Sequence, residues 1–244
     1  MLNFIILCIL HVIGDFYLQT NKVAKCKSAR IDSLCGDCSD CKDGKMYNLK
    51  FLFLHILLYI VPFTTIFFMT SWLRALLIIG ICAISHLIID FITSCLRNKF
   101  KQSLLFILDQ ILHIAILFAV FKFFKFNNNF AGHYDLIKIV FVCSLIVVPS
   151  SIFISKLYID IFNDSSQINV FEKGSIIGIL ERILVLIFAC FDDFAAIAII
   201  ITVKTWARSI DIKDNEKDFR EKYLLGTLAS LVISLLCFLI YKAI

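Results

Sequence analysis

The chain has 244 residues, 60% of them hydrophobic, with a mean hydropathy of +0.91, against roughly 45–50% apolar for a soluble domain, and that excludes an ordinary soluble fold. With only 2 Pro and 8 Gly as punctuation, apolar runs of about 20 residues read as bilayer-spanning helices, and the lack of strict alternation argues against a membrane barrel. The net charge of +5 calls for no nucleic-acid partner, because the basic residues fall in the connections between apolar runs, where charge sets topology.

The opening MLNFIILCIL lacks a basic leader and a small-residue cleavage site. His11, Asp15 and Gln19 follow within the same helical pattern, so it reads as a retained first span. Eight hydrophobic segments follow in order, over about 2–20, 50–69, 74–96, 103–124, 136–158, 175–190, 194–208 and 222–241, with boundaries blurred by a few residues. The sixth and seventh are short and separated by Phe191-Asp192-Asp193-Phe194, which fits two tilted spans or a re-entrant hairpin. The expected fold is therefore an all-α polytopic transmembrane helix bundle, one domain over 1–244 with a cytoplasmic loop inserted over 21–48. Odd-numbered connections hold eighteen Lys and Arg and even-numbered ones four. Basic residues stay in the cytoplasm, so both termini are expected outside a bacterial inner membrane, and the basic face should attract anionic lipid headgroups.

The first span contains His11 and Asp15, the second His55, the third His86 and Asp90, the fourth Asp109 and His113. Three of these are pairs four residues apart, which places both side chains on one helix face. With spans alternating in direction, all seven fall in the cytoplasmic halves and can converge. A carboxylate in hydrocarbon costs roughly 2.5–3.5 kcal/mol on insertion scales, and a divalent cation removes that cost. Imidazole with carboxylate suits Zn first, then Mn or Fe. Any single His–Asp pair is as well explained by interhelical hydrogen bonding; three pairs and a fourth histidine at one depth favour a metal, one ion or two, with a proton or ion relay as the competing account. Gln19 and Gln110, and further on Glu181, are candidates to hydrogen-bond the ligands from behind.

In the later segments Arg182, Lys204 and Arg208 fit a phosphate or carboxylate, although Lys204 and Arg208 read equally as interfacial cations and Arg182 as a partner of Glu181 or Asp109. His133 reads as an ordinary solvated loop histidine. Of 10 Cys, six (Cys8, Cys82, Cys95, Cys143, Cys190, Cys237) read as small buried hydrophobes. Cys26, Cys35, Cys38 and Cys41 share the first loop, where CGDCSDC overlaps two C-x-x-C spacings. In a reducing compartment these are candidates for a structural zinc, with free thiols as the alternative.

The pieces HVIGDFYLQTNK, LFLH, SHLIID, LDQILH, GSIIGILERILVL, VKTWAR and KYLLGTLAS resemble an uncharacterised bacterial membrane family, the domain-of-unknown-function family 3307. The cysteine loop departs from that pattern as an insertion. The Ser85-His86-x-x-x-Asp90 piece is also similar to bacterial inner-membrane proteins labelled metal-dependent hydrolases. The leading expectation is a membrane-embedded metallohydrolase acting on a phosphate-bearing or lipid-like substrate. His11, Asp15, His55, His86, Asp90, Asp109 and His113 would hold the metal, Asp15 or Asp109 would serve as base, and His55 as ligand or proton carrier. A divalent-cation or proton-coupled transporter is the alternative, disfavoured by the apolar outer halves of the spans, and a non-catalytic scaffold is a third.

Overall fold

The computed structural model of the protein describes residues 1–20, 23, 49–96, 99–127, 129–162, 173–207 and 217–244. Among the described residues there are eight helices and no strand. We label them α1 (Leu2–Val12), continuing as a π-helix over Ile13–Tyr17; α2 (Leu49–Phe63), continuing as a 3-10 helix over Thr64–Phe68; α3 (Trp72–Leu96); α4 (Gln102–Phe123); α5 (Tyr134–Phe162); α6 (Lys173–Cys190); α7 (Phe194–Ala207); and α8 (Lys217–Ala243). Each expected segment corresponds to one helix. The loop 21–48, with Cys26, Cys35, Cys38 and Cys41, lies outside the described residues apart from Val23.

Among the described residues five helical stretches are long and apolar enough to cross a bilayer, over Phe51–Phe68, Trp72–Leu96, Gln102–Phe123, Ala131–Phe162 and Arg220–Ala243. The distribution of exposure is inverted relative to a protein in water. Phe53 is 63% exposed and Phe123 85%, whereas His55 and His86 are 0% exposed. In lipid the hydrophobic effect does not drive helices together, so apolar side chains face out and polar ones gather inside. The chain is a membrane protein.

Two compact units are formed, Met1–Ile137 and Lys138–Ile244. In the first, α1 packs on α2 and α4, α2 on α3, and α3 on α4, which closes a four-helix ring. Pro62 lies inside α2 and removes a backbone donor; α2 then tightens into its 3-10 turn, with the Thr64 and Thr65 hydroxyls donating to the Val61 and Pro62 carbonyls at 2.7 and 2.8 Å. That end of the ring is tied by the Thr70 hydroxyl donating to the Lys125 carbonyl and the Asn127 amide to the Met69 carbonyl.

The second unit buries Val142, Ile146, Val185, Leu186, Ala189, Ile197, Cys237 and Phe238 as its core. Pro149 lies inside α5 and, having no N–H, leaves the Leu145 carbonyl without its usual amide partner. Ser150 Oγ donates to the Leu145 carbonyl at 2.7 Å, and Arg182 Nε to the Ile146 carbonyl at 3.0 Å. Arg182 Nη2 also donates to Ser151 Oγ at 2.6 Å. The buried guanidinium thus ties α6 to α5 beside the proline. Arg182→Met removes the donors to the Ile146 carbonyl and the Ser151 hydroxyl, and unfolding in detergent should show a loss of about 1–3 kcal/mol.

Candidate metal centre

The first unit draws its polar residues into the middle of the four-helix ring. His11 and Asp15 come from the end of α1, His55 from the start of α2, His86 and Asp90 from the far part of α3, and Asp109 and His113 from the start of α4. His11, Asp15, His55, His86, Asp90 and His113 are all buried, at 6% exposure or less. Asp109 is the most open of the seven, its side chain 15% exposed. The sequence expectation of one level in the bundle is met by all seven.

The geometry is tightest around His55. His55 Nε2 lies 2.9 Å from His86 Nε2, 3.3 Å from Asp15 Oδ1 and 3.3 Å from Asp90 Oδ2. His86 Nε2 lies 3.8 Å from Asp15 Oδ1 and 3.7 Å from Asp90 Oδ2. Four atoms that can each present a lone pair therefore meet around one point. A regular tetrahedron around a cation with bonds of about 2.0–2.1 Å has edges of about 3.3–3.4 Å. The five distances above bracket that value. Ionised carboxylates only accept, and each neutral imidazole carries a single proton, so the set is electrostatically complementary to a positive charge at its centre.

A second, smaller set adjoins it. His113 Nε2 lies 3.6 Å from Asp90 Oδ1 and 3.8 Å from Asp109 Oδ2. One ligand atom from each of Asp90, Asp109 and His113 falls within 4.8 Å of the others. The His86 and His113 Nδ1 atoms approach to 3.4 Å.

His11 stands differently. Its Nδ1 is 3.3 Å from the Tyr59 hydroxyl and its Nε2 is 3.3 Å from Gln110 Oε1. The amide oxygen can only accept, so His11 Nε2–H donates to Gln110 and Nδ1 accepts from Tyr59. Both ring nitrogens are engaged in this arrangement, and His11 also forms, with His86 and His113, a group whose ligand atoms lie within 4.8 Å of one another. Gln110 Nε2 donates to Asp15 Oδ2 at 3.3 Å and Asp109 Oδ2 at 3.0 Å, which joins both carboxylates to His11. Thr93 Oγ1 donates to Asp109 Oδ1 at 3.1 Å. Gln19 Oε1 accepts no hydrogen bond from the described residues.

Three contributors were not singled out from sequence. Tyr59 stacks on His86 with ring centroids 3.9 Å apart and planes 2° apart; its place four residues after His55 was the available signal. Thr93, three residues after Asp90, was legible by the other same-face helical spacing. Gly14 is the third. A Cβ there would stand 2.9 Å from the Tyr59 carbonyl oxygen, so glycine lets the backbones of α1 and α2 touch. The local break into a π-helix, marked by the Leu18 amide donating to the Ile13 carbonyl, puts Asp15 inside a widened turn. Such turns recur where a side chain has to be re-aimed.

The expected anion-binding residues belong to the second unit. Arg182 is spent on α5, as above, and Lys204 Nζ pairs with Glu181 Oε2 at 2.5 Å, so Glu181 serves Lys204. Arg208 lies outside the described residues. His133 is exposed, as expected. Of the six Cys in the helices, Cys8, Cys82 and Cys237 are buried, Cys95 and Cys143 partly so, and Cys190 is exposed.

Residues 36–135 match the model of a family described as "Protein of unknown function (DUF3307)". The matched stretch includes His55, His86, Asp90, Asp109 and His113 and excludes His11 and Asp15. The chain matches no curated protein and no solved structure.

Proposed function

With residues 36–135 matched to a family of unassigned activity, we propose that this membrane protein is a metalloprotein whose Asp15, His55, His86 and Asp90 hold a divalent transition metal, and that it works as a hydrolase on a phosphate-bearing or lipid-like substrate. The single observation behind this reading is the near-tetrahedral spacing of four buried donors from three helices. The donor chemistry of two imidazoles and two carboxylates suits Zn, with Mn or Fe as alternatives. A metal held in this cluster with one coordination position left to water would lower the pKa of that water and polarise a phosphoryl or acyl oxygen. Asp109 stands outside these four donors, is the most open carboxylate of the cluster and is oriented by Thr93 and Gln110, which suits it either to take a proton from substrate or water or to ligate a further ion. The basic connections orient the site toward the cytoplasm, with both termini outside. The loop cysteines Cys26, Cys35, Cys38 and Cys41 would hold a separate structural zinc.

The test starts from protein purified in detergent with its native metal, beside His55→Ala. We expect at least one transition-metal ion per chain in the wild type and its loss in the variant, counted by elemental analysis in a background lacking the four loop cysteines. Phosphate release from phosphatidic acid in mixed micelles should follow metal content. Metal binding without hydrolysis, combined with Mn(II) uptake into liposomes that Asp15→Asn abolishes, would replace the hydrolase with a cation transporter. A protein that binds no metal sinks both.

A further inference from the structure

We infer that the cluster holds two cations, with Asp90 as the bridge between them. The inference rests on the first metal site proposed above and adds a second. The two oxygens of Asp90 face different partners. Oδ2 belongs to the four-donor set, 3.3 Å from His55 Nε2 and 3.7 Å from His86 Nε2. Oδ1 faces His113 Nε2 at 3.6 Å. A carboxylate that divides its oxygens between two groups of ligands is the common structural element of two-metal sites, whose ions sit about 3.5–4 Å apart.

His113 points the same way. It is 3% exposed, and the groups facing its Nε2 are the Asp90 and Asp109 carboxylates, with no closer hydrogen-bond partner among the described residues. The nearest carboxylate oxygens, at 3.6 and 3.8 Å, are too far for an N–H···O hydrogen bond. They stand at the separation expected of atoms that share a cation. A buried polar nitrogen left in this way is costly, and a cation between it, Asp90 Oδ1 and Asp109 resolves the cost. Asp109 can take part because each of its oxygens accepts one hydrogen bond, from Thr93 and from Gln110, and keeps a second lone pair.

The two sites differ in kind. The first has four protein donors, the closed set of a structural centre; the second has three, which leaves a position for water or substrate. The open position falls beside Asp109, the most exposed member of the cluster. The second cation is therefore the one that meets substrate, and the first fixes Asp90. When both imidazoles ligate through Nε2, both carry their proton on Nδ1, so the 3.4 Å approach of the two Nδ1 atoms would widen on loading. In the competing arrangement His113 Nε2 keeps a proton and there is one cation.

The full chain, stripped with chelator and reloaded with Mn(II), separates the two. Mn(II) favours carboxylate and imidazole over thiolate, which leaves the cysteine loop out of the count. The expected result is two Mn per chain with an exchange-coupled electron paramagnetic resonance signal. His113→Ala and, as the more conservative change, Asp109→Asn should each reduce this to one Mn with an uncoupled six-line spectrum. One uncoupled Mn in the wild type, lost in His55→Ala, overturns the second cation and leaves the first standing. Two Mn retained and coupled in both variants overturns the assignment of His113 and Asp109. No Mn in the wild type overturns both sites.

Discussion

Asp90→Ala should empty the whole cluster, because it removes one donor from each set of ligands at once. Its Oδ2 closes the group around His55 and its Oδ1 faces His113. Losing a group that only hydrogen-bonds a ligand typically lowers metal affinity by about 10–100-fold. Losing a direct ligand shared by two ions should exceed that, so competition with a chelating dye ought to show no residual high-affinity Mn(II) or Zn(II) binding. Gln110→Ala is the matched comparison. Gln110 bonds His11, Asp15 and Asp109 without belonging to either set, and its loss should fall within the 10–100-fold range. Equal effects from the two substitutions would show that Asp90 is a packing residue like any other in the ring.

A methyl group at Gly14 should be strongly damaging for so small a change. The added carbon would lie 2.9 Å from the Tyr59 carbonyl oxygen and 3.1 Å from the Tyr59 Cα. These are backbone atoms and cannot rotate aside, so α1 must lift from α2. Overpacking of a rigid contact costs typically 1–3 kcal/mol, and here the displacement also carries Asp15 away from His55. Gly14→Ala is expected to lower the melting temperature in detergent and to lose metal together with stability. Gly80→Ala is the control: nothing lies within 4 Å of its added carbon, and a helix-interior alanine is slightly favoured over glycine. If both variants melt alike, the contact at Tyr59 has been misjudged.

Much of this arrangement could be read before any coordinates. The eight helices follow the eight apolar runs, most of them long enough to span a bilayer and the sixth and seventh short, and the seven ionisable residues announced themselves by being in the wrong solvent. Spacing of four residues was enough to pair His86 with Asp90 and Asp109 with His113, since both pairs sit on regular helix. What spacing could not give was the rank of each residue. His11 and Asp15 have the same separation, yet Asp15 faces His55 while His11 turns to Tyr59 and Gln110. That difference is produced by the π-helix and by the glycine contact, which are consequences of packing between chains of atoms distant in sequence. Arg182 misled for a related reason. Its charge suggested an anion, but in space it lies against the Pro149-containing stretch of α5 and donates to the Ile146 carbonyl, a contact that leaves no trace in local composition.

The closure of the ring by α4 has a thermodynamic corollary. Asp15, His55, His86 and Asp90 belong to α1, α2 and α3, while only Asp109 and His113 extend the cluster to α4. Residues so far apart along the chain cannot assemble a binding site before the helices associate, so ligation and helix association are one equilibrium. Each tenfold rise in free metal above its dissociation constant would add about 1.4 kcal/mol to the assembled state. Occupancy of the first position would pin three helices, and occupancy of the second would pin the fourth, so chelation should peel the bundle apart in two stages, α4 first.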